Sequence, residues 1–294
     1  MSAPGTPETE TGPSGAGTLA VTGVTGALGG LVVRRLSDDF RIDLRLLARD
    51  PDRAPDLDTD IRVCEYGDLD AGIAALHGVE TLLMVSASES ADRRTEHRTF
   101  VRAAVEAGVR HIVYTSFAGA APDAGFTLGR DHFDTEQAIR GSGLEFTFLR
   151  DSFYLDVLPH FADADGVIRG PAGEGRVAAV ARADVAAVAA AVLRDPGAHR
   201  GATYTLTGPE ALTLAEVAAR AGAVLGRDLR FVDESTEDAY AWRREQYGAP
   251  DWQLDAWVST YTAIRDGALA EVSPDVERVT GHPPRTLEDT LTDG

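Results

Sequence analysis

Between Thr18 and Leu36 the chain passes from a short apolar run, Leu19-Ala20-Val21, through Thr22-Gly23-Val24-Thr25-Gly26-Ala27-Leu28-Gly29-Gly30, into a segment with Leu28, Leu31, Val32 and Leu36 at helical spacing. Glycine at every third position between a strand and a helix has a physical purpose. The first lets the chain turn sharply, the second lets backbone approach a bulky anion, and the third lets the helix press against the strand. The helix start then offers unpaired N–H groups to a phosphate. In the first strand–helix unit this pattern predicts a dinucleotide site, with Gly23, Thr25, Gly26, Ala27, Leu28 and Gly29 as its contacts. The uncharged stretch from Gly15 to Val33 approaches the length of a membrane span, but six of its 19 residues are glycine. A turn, and not a span, is expected there.

The same alternation continues. Apolar strands are expected at Leu44–Ala48, Ile61–Cys64, Thr81–Val85, His111–Thr115 and Glu145–Leu149, with helices at Leu69–Leu76, Arg94–Ala107 and Asp131–Arg140 between them. That order predicts an α/β fold, a Rossmann-type doubly wound parallel sheet. After Arg150 the regularity loosens. A glycine-rich loop at Gly166–Gly175 precedes a helix at Ala183–Leu193, a strand at Thr203–Leu206, a helix at Leu214–Leu225, a strand at Asp228–Val232 and a helical tail from Thr236 that holds Trp242, Trp252 and Trp257. The expected organisation is a disordered leader at 1–17, an NAD(P)-binding Rossmann domain at 18–155, and a smaller C-terminal α/β lobe at 156–294 that covers the crevice and returns a strand and a helix to the core.

Composition narrows the chemistry. None of the 28 basic residues is lysine, so a Schiff base, a P-loop lysine and the lysine of a Tyr-x-x-x-Lys pair are all excluded. A formal charge of −19 opposes binding to nucleic acid or to an anionic membrane, and a small-molecule substrate is the expected partner of a monomer or homodimer. The single Cys64 cannot form an internal disulfide, which suits a reducing cytoplasm. No metal site is expected.

The end of the second strand selects among dinucleotides. An acidic residue there would bond a ribose 2′-hydroxyl, whereas an arginine would receive a 2′-phosphate. Arg49 stands 20 residues after Gly29, followed by Asp50, so NADP(H) is expected in preference and NAD(H) remains possible; the competing reading is that Arg49 pairs only with Asp50 or Asp52. Asp68 and Leu69 are placed to meet adenine, with Asp68 also a helix cap. Ser86 and Ala87, with Tyr114, Thr115 and Ser116, end strands at the edge that faces ligands. His132 lies four residues before Glu136 on one helical face, with Asp131 as candidate cap. It could touch the nicotinamide ribose, donate a proton, or simply pair with Glu136.

Taken together, Thr22 to Gly30, Arg49, Thr95 to Ser116, the Asp131-His132-x-x-Thr135-Glu136 segment, Ser142 to Arg150, Gly173 to Ala190 and Gly281 to Pro284 resemble the NmrA-like atypical short-chain dehydrogenases, in particular their NAD(P)H:quinone oxidoreductase type 2 branch. The resemblance implies an NAD(P)H-dependent oxidoreductase that reduces quinones or related conjugated carbonyls, or a relative that binds the cofactor as a redox sensor. It also makes His132 the first candidate for proton donor, with Tyr154 behind it. The branch's Arg-Asn-Gly-Trp-Tyr stands here as Arg150-Asp151-Ser152-Phe153-Tyr154, which alters the substrate region at Asp151 and Phe153 and suits a natural-product tailoring reductase or an epimerase. Phe117, Phe126, Phe153 and Tyr154 are expected to wall a flat substrate.

Overall fold

The computed structural model describes residues 17–292. Apart from Gly17, the expected leader at 1–17 lies outside the described residues.

Seven parallel strands form the central sheet. They are β1 (Thr18–Val21), β2 (Leu44–Ala48), β3 (Asp60–Val63), β4 (Val79–Met84), β5 (His111–Phe117), β6 (Glu145–Asp151) and a late strand at Thr203–Leu206, in the spatial order β3-β2-β1-β4-β5-β6 followed by that late strand. Leu19 sits opposite Leu44 on one side of β1 and opposite Thr81 on the other. The chain therefore reverses its direction of travel across the sheet at β1 and β4. Ligands of open parallel sheets bind at such a reversal, outside the strands' carboxyl ends.

Helices cover both faces because the strands are apolar on both. On one face α1 (Ala27–Leu36) packs against a helix at Arg182–Arg194, burying Val32, Val33 and Leu36 against Val185, Ala189 and Val192. On the other lie α2 (Leu69–Leu76), α3 (Arg93–Glu106) and α4 (Thr127–Gly141), whose Leu76, Phe100 and Ile139 meet Leu82, Ile112 and Phe148 of the sheet.

Beyond β6 come β7 (Val167–Gly170), β8 (Arg176–Val177), α5 (the Arg182–Arg194 helix), β9 (the Thr203–Leu206 strand), β10 (Leu212–Thr213), α6 (Leu214–Leu225), β11 (Arg230–Asp233), α7 (Thr236–Tyr247), α8 (Asp251–Arg265), α9 (Asp275–Thr280) and α10 (Leu287–Thr292). β7 pairs with β11 and β8 with β10, while β9 joins the main sheet beside β6. A separate apolar cluster joins Leu158, Leu214, Val217 and Ile264 of this part to Phe117 and Phe126 at the sheet's carboxyl edge. In addition, Thr127 N–H, at the start of α4, donates to Ser259 of α8 at 3.1 Å.

Several boundaries differ from expectation. α4 begins at Thr127, four residues earlier than Asp131, so Asp131 is not its cap. The Asp131 carboxylate instead accepts from Arg94 at 2.6 Å. β5 and β6 each run two residues further, to Phe117 and Asp151, and pair through to their last residues, which makes Ser116, Phe117, Arg150 and Asp151 strand positions. β11 occupies Arg230–Asp233.

Candidate active site

The glycine turn is built as a cradle. Gly23 adopts φ +64°, a conformation side chains disfavour. A Cβ on Gly29 would stand 2.3 Å from the Gly23 carbonyl oxygen, so helix and turn touch backbone to backbone. α1 starts at Gly26 with no side chain bonded over its first N–H groups. Those donors open into a cavity of about 310 Å³. The first cavity runs along the carboxyl ends of four strands, past Thr25 and Gly26, then Arg49 after β2, Cys64 to Gly67 after β3, and Val85 to Ser90 after β4. Its shape and donors fit the pyrophosphate and ribose of a dinucleotide.

Other expected contacts fall at graded distances from this cavity. Ala27 is exposed at the helix start, whereas Leu28 and Gly29 are buried. Arg49 is exposed in the cavity wall and forms no ion pair among the described residues; Asp50 instead accepts from the Asp52 N–H. The reading of Arg49 as a plain surface pair is therefore not met. Asp68 caps α2 by accepting from Ala71 N–H at 3.0 Å; it and Leu69 stand just beyond the wall residue Gly67.

The segment after β4 is pinned by five side chains. Val85 N–H donates to Thr22 Oγ1 at 2.8 Å, and Val85 O accepts from the Tyr66 hydroxyl at 2.6 Å. Ser86 N–H donates to Thr115 Oγ1 at 2.8 Å. Ala87 N–H donates to His97 Nε2 at 3.0 Å, and Ala87 O accepts from Arg93 Nε at 3.0 Å. Thr115 thus acts from beneath. Ser86 is a wall of the first cavity and also of a second, of about 190 Å³.

The second cavity is aromatic. Phe117, Phe126 and Phe153 lie with ring centroids 4.8–5.2 Å apart, and Phe161, Leu128, Val157 and Leu158 extend the apolar wall. Its polar groups are Ser86, His132, Asp151, Ser152 and Tyr154. All four expected aromatic walls are here, together with Asp151.

His132 is not held as expected. Arg93 Nη2 stands 3.1 Å from His132 Nε2, and a guanidinium only donates, so Nε2 accepts. Nδ1 therefore carries the proton and donates to Tyr114 Oη at 3.0 Å. Burial and then the Arg93 charge hold the ring well below its ordinary pKa, so it is neutral. Glu136 takes no part. It accepts from Ser116 Oγ at 2.6 Å and from Arg150 Nε and Nη2 at 2.8 and 2.6 Å. The expected His132–Glu136 pair is thus corrected: Arg150 outcompetes a neutral ring for the buried carboxylate.

Tyr114 is fully buried, and with Ser116 it supports the site from below without lining either cavity. His97 is likewise neutral, drawn down to about 3 by burial and by Arg93, and donates from Nδ1 to Thr135. Burial pushes the Cys64 thiol up to about 12. Arg93, His97 and Tyr66 were not anticipated as site residues.

Residues 23–196 match the family model described as NAD(P)H-binding. The chain belongs to the NAD(P)H-binding family. Quinone oxidoreductase 2 of Escherichia coli K12 is 34% identical over 281 residues, covering 93% of this chain and 97% of that one. The (4-alkanoyl-5-oxo-2,5-dihydrofuran-3-yl)methyl phosphate reductase of Streptomyces griseus is 37% identical over 279 residues, covering 92% and 95%. The crystal structure of the NADPH-dependent quinone oxidoreductase of E. coli complexed with NADPH superposes with a TM-score of 0.84 at 33% identity, covering 94% of this chain and 99% of that one. The NmrA-like, quinone oxidoreductase type 2 resemblance read from the motifs is borne out, and the chain is an NAD(P)H-dependent oxidoreductase.

Proposed function

We propose that the protein is an NADPH-dependent reductase of quinones or related conjugated carbonyl compounds that carry no charge where they enter the aromatic cavity. The observation that carries this reading is the position of Ser86 in the walls of both cavities, so that a dinucleotide laid along the first would end beside the second. A dihydronicotinamide bound there would supply a hydride to a substrate in the aromatic cavity. The α1 N-terminus would hold its pyrophosphate, and Arg49, free of acidic partners, its 2′-phosphate. Residues 18–155 carry the cofactor in this reading, and the part beyond them closes the substrate side.

Phe117, Phe126 and Phe153 position a flat ring and exclude water. No arginine lines the second cavity and His132 is neutral, so a carboxylate or phosphate there would have no counter-charge. His132, which the resemblance places first as donor, is on this reading a positioning residue, because both ring nitrogens are engaged inside the protein. The names of the relatives from E. coli and S. griseus, a quinone oxidoreductase and a reductase of an unsaturated lactone that bears a methyl phosphate, agree with a conjugated carbonyl as the reducible group; the phosphate of the second would have to lie outside this cavity. A walled cavity beside Ser86 favours turnover over a sensor that only binds cofactor.

The test is NADPH oxidation by purified protein across a panel of benzoquinones, naphthoquinones and enones. Consumption that saturates with at least one neutral member is expected. Silence across the panel, with NADPH shown to bind, would sink the reductase reading in favour of the sensor.

A further inference from the structure

One ionisable group in the aromatic cavity has no cationic partner. Asp151 is the last residue of β6, opposite Phe117 of β5 and Leu206 of β9 in the parallel register. It is 5% exposed and stands in the cavity wall. Among the described residues its carboxyl group accepts one side-chain hydrogen bond, from the Tyr154 hydroxyl.

The charged neighbours are occupied elsewhere. Arg150, adjacent in sequence, turns its Nε and Nη2 to Glu136 of α4. Arg182, lying over the Tyr154 ring, pairs with Asp156. From β5 comes Tyr114, whose hydroxyl is kept un-ionised by burial, and from α4 comes the neutral ring of His132. Among the described residues no cation near Asp151 offsets a buried negative charge, so the protonated form is favoured. Burial raises the group to about 7, the Tyr154 hydrogen bond opposing.

A second group beside it is also unfulfilled. Ser152 is 3% exposed and a wall of the same cavity, yet its hydroxyl has no hydrogen-bond partner. A buried hydroxyl left unpaired is costly, and an oxygen on a bound molecule would satisfy it. The carboxylic acid and the hydroxyl are consecutive residues in the wall of one apolar cavity that also holds Ser86.

We propose that Asp151 is the proton donor of the reduction and that Ser152 Oγ donates a hydrogen bond to the same substrate oxygen. The assignment rests on the reductase reading above. As hydride adds to the electrophilic carbon, the carbonyl π pair moves onto oxygen, the Asp151 O–H bond breaks, and the O–H bond of the alcohol or enol forms; the product from a quinone then tautomerises to the hydroquinone. The two electrons come from NADPH, oxidised to NADP⁺. Asp151 is left as a carboxylate that keeps the Tyr154 hydrogen bond and regains its proton from water. Tyr154 then has a defined role, supporting the conjugate base.

The experiment compares wild type, Asp151→Asn and Asp151→Glu by pH–rate profile and by infrared difference spectroscopy of the protein with NADP⁺. Wild type should lose kcat above about pH 7 along a single ionisation, and its carboxylic-acid C=O band should vanish over the same range. Asp151→Asn should lower kcat at least about a hundredfold, remove both the limb and the band, and leave NADPH affinity within about twofold. Asp151→Glu should restore part of kcat with a displaced limb. Turnover by Asp151→Asn at the wild-type rate with the same limb would overturn the assignment alone, as would the absence of a titrating acid band in wild type. A wild type that binds NADPH but reduces no member of the panel would overturn the reductase reading and this assignment with it.

Discussion

Arg93 Nη2 meets His132 Nε2 at 3.1 Å inside the protein, and this contact sets the proton on the far side of the ring, facing Tyr114. Arg93 is 3% exposed, and it also bonds the Ala87 carbonyl beneath the junction of the two cavities. Its Nη1 makes no hydrogen bond and lies 3.7 Å from the Asp131 carboxylate. Arg93→Met would leave Ala87 O and His132 Nε2 without their donors. A loss of about 1–3 kcal/mol is expected, read as a lower urea midpoint. Because the Arg93 charge is the second cause of the His132 shift, after burial, the ring should titrate closer to its ordinary value in this variant. Histidine ring signals followed by NMR against pH would check this, and an unmoved His132 would contradict it.

Arg49 is exposed beside the phosphate cradle and carries no acidic partner, while the same cavity wall holds Glu65, Glu89 and Glu96. Arg49 is the one basic side chain of that wall among the described residues, so without it a 2′-phosphate would have no counter-charge there. Arg49→Ala should raise the Kd for NADPH by about ten- to a hundredfold and change that for NADH by less than about threefold. Arg49→Glu should widen the gap by further weakening NADPH. Titration calorimetry with both nucleotides decides the matter: equal losses would mean that Arg49 contacts something common to both.

The glycine turn and the strand–helix order are legible in the sequence because their causes are local: backbone freedom at Gly23, close packing at Gly29, and apolar runs of fixed period. Arg93 is not, since Arg93-Arg94 reads as one charged pair and only tertiary packing buries the first while leaving the second exposed. Tyr66 is hidden for the same reason: its hydroxyl reaches Val85 and Thr22 only once β3, β2, β1 and β4 are assembled into one sheet. The extra strand residues to Asp151 escape a hydrophobicity reading because Arg150 interrupts the apolar run, and its buried partner Glu136 comes from another element. His132 was legible as a site residue, but its partner was misread from spacing along one helix.

Gly29→Ala tests the cradle. The added methyl would stand 2.3 Å from Gly23 O and 3.0 Å from Thr22 O, both backbone atoms that cannot swing aside. The turn must shift, at a cost of about 1–3 kcal/mol. The shift moves the α1 N–H groups, so NADPH and NADH should both weaken by a similar factor. That pattern is opposite to the one expected for Arg49, and thermal denaturation with and without each nucleotide separates the two.

Asp151 also leaves a mark on stability that does not depend on any substrate. Its carboxyl titrates at about 7 in the folded protein against 3.8 ordinarily, so the unfolded chain releases this proton at a lower pH than the folded one does. The folded state is therefore favoured below about pH 4 by this group, and that advantage disappears as pH rises toward 7. The full interval corresponds to on the order of 4 kcal/mol, an upper bound if water reaches the cavity. Asp151→Asn cannot titrate and escapes this loss. The other shifted groups, such as His97 and Asp60, are shared by both proteins and cancel in the comparison. The stability of Asp151→Asn relative to wild type should consequently climb between about pH 4 and pH 7 and level off above it. Urea denaturation at a series of pH values would measure it, and a difference that stays flat across that window would show that Asp151 is ionised throughout, with a counter-charge or solvent supplied by a rearranged cavity.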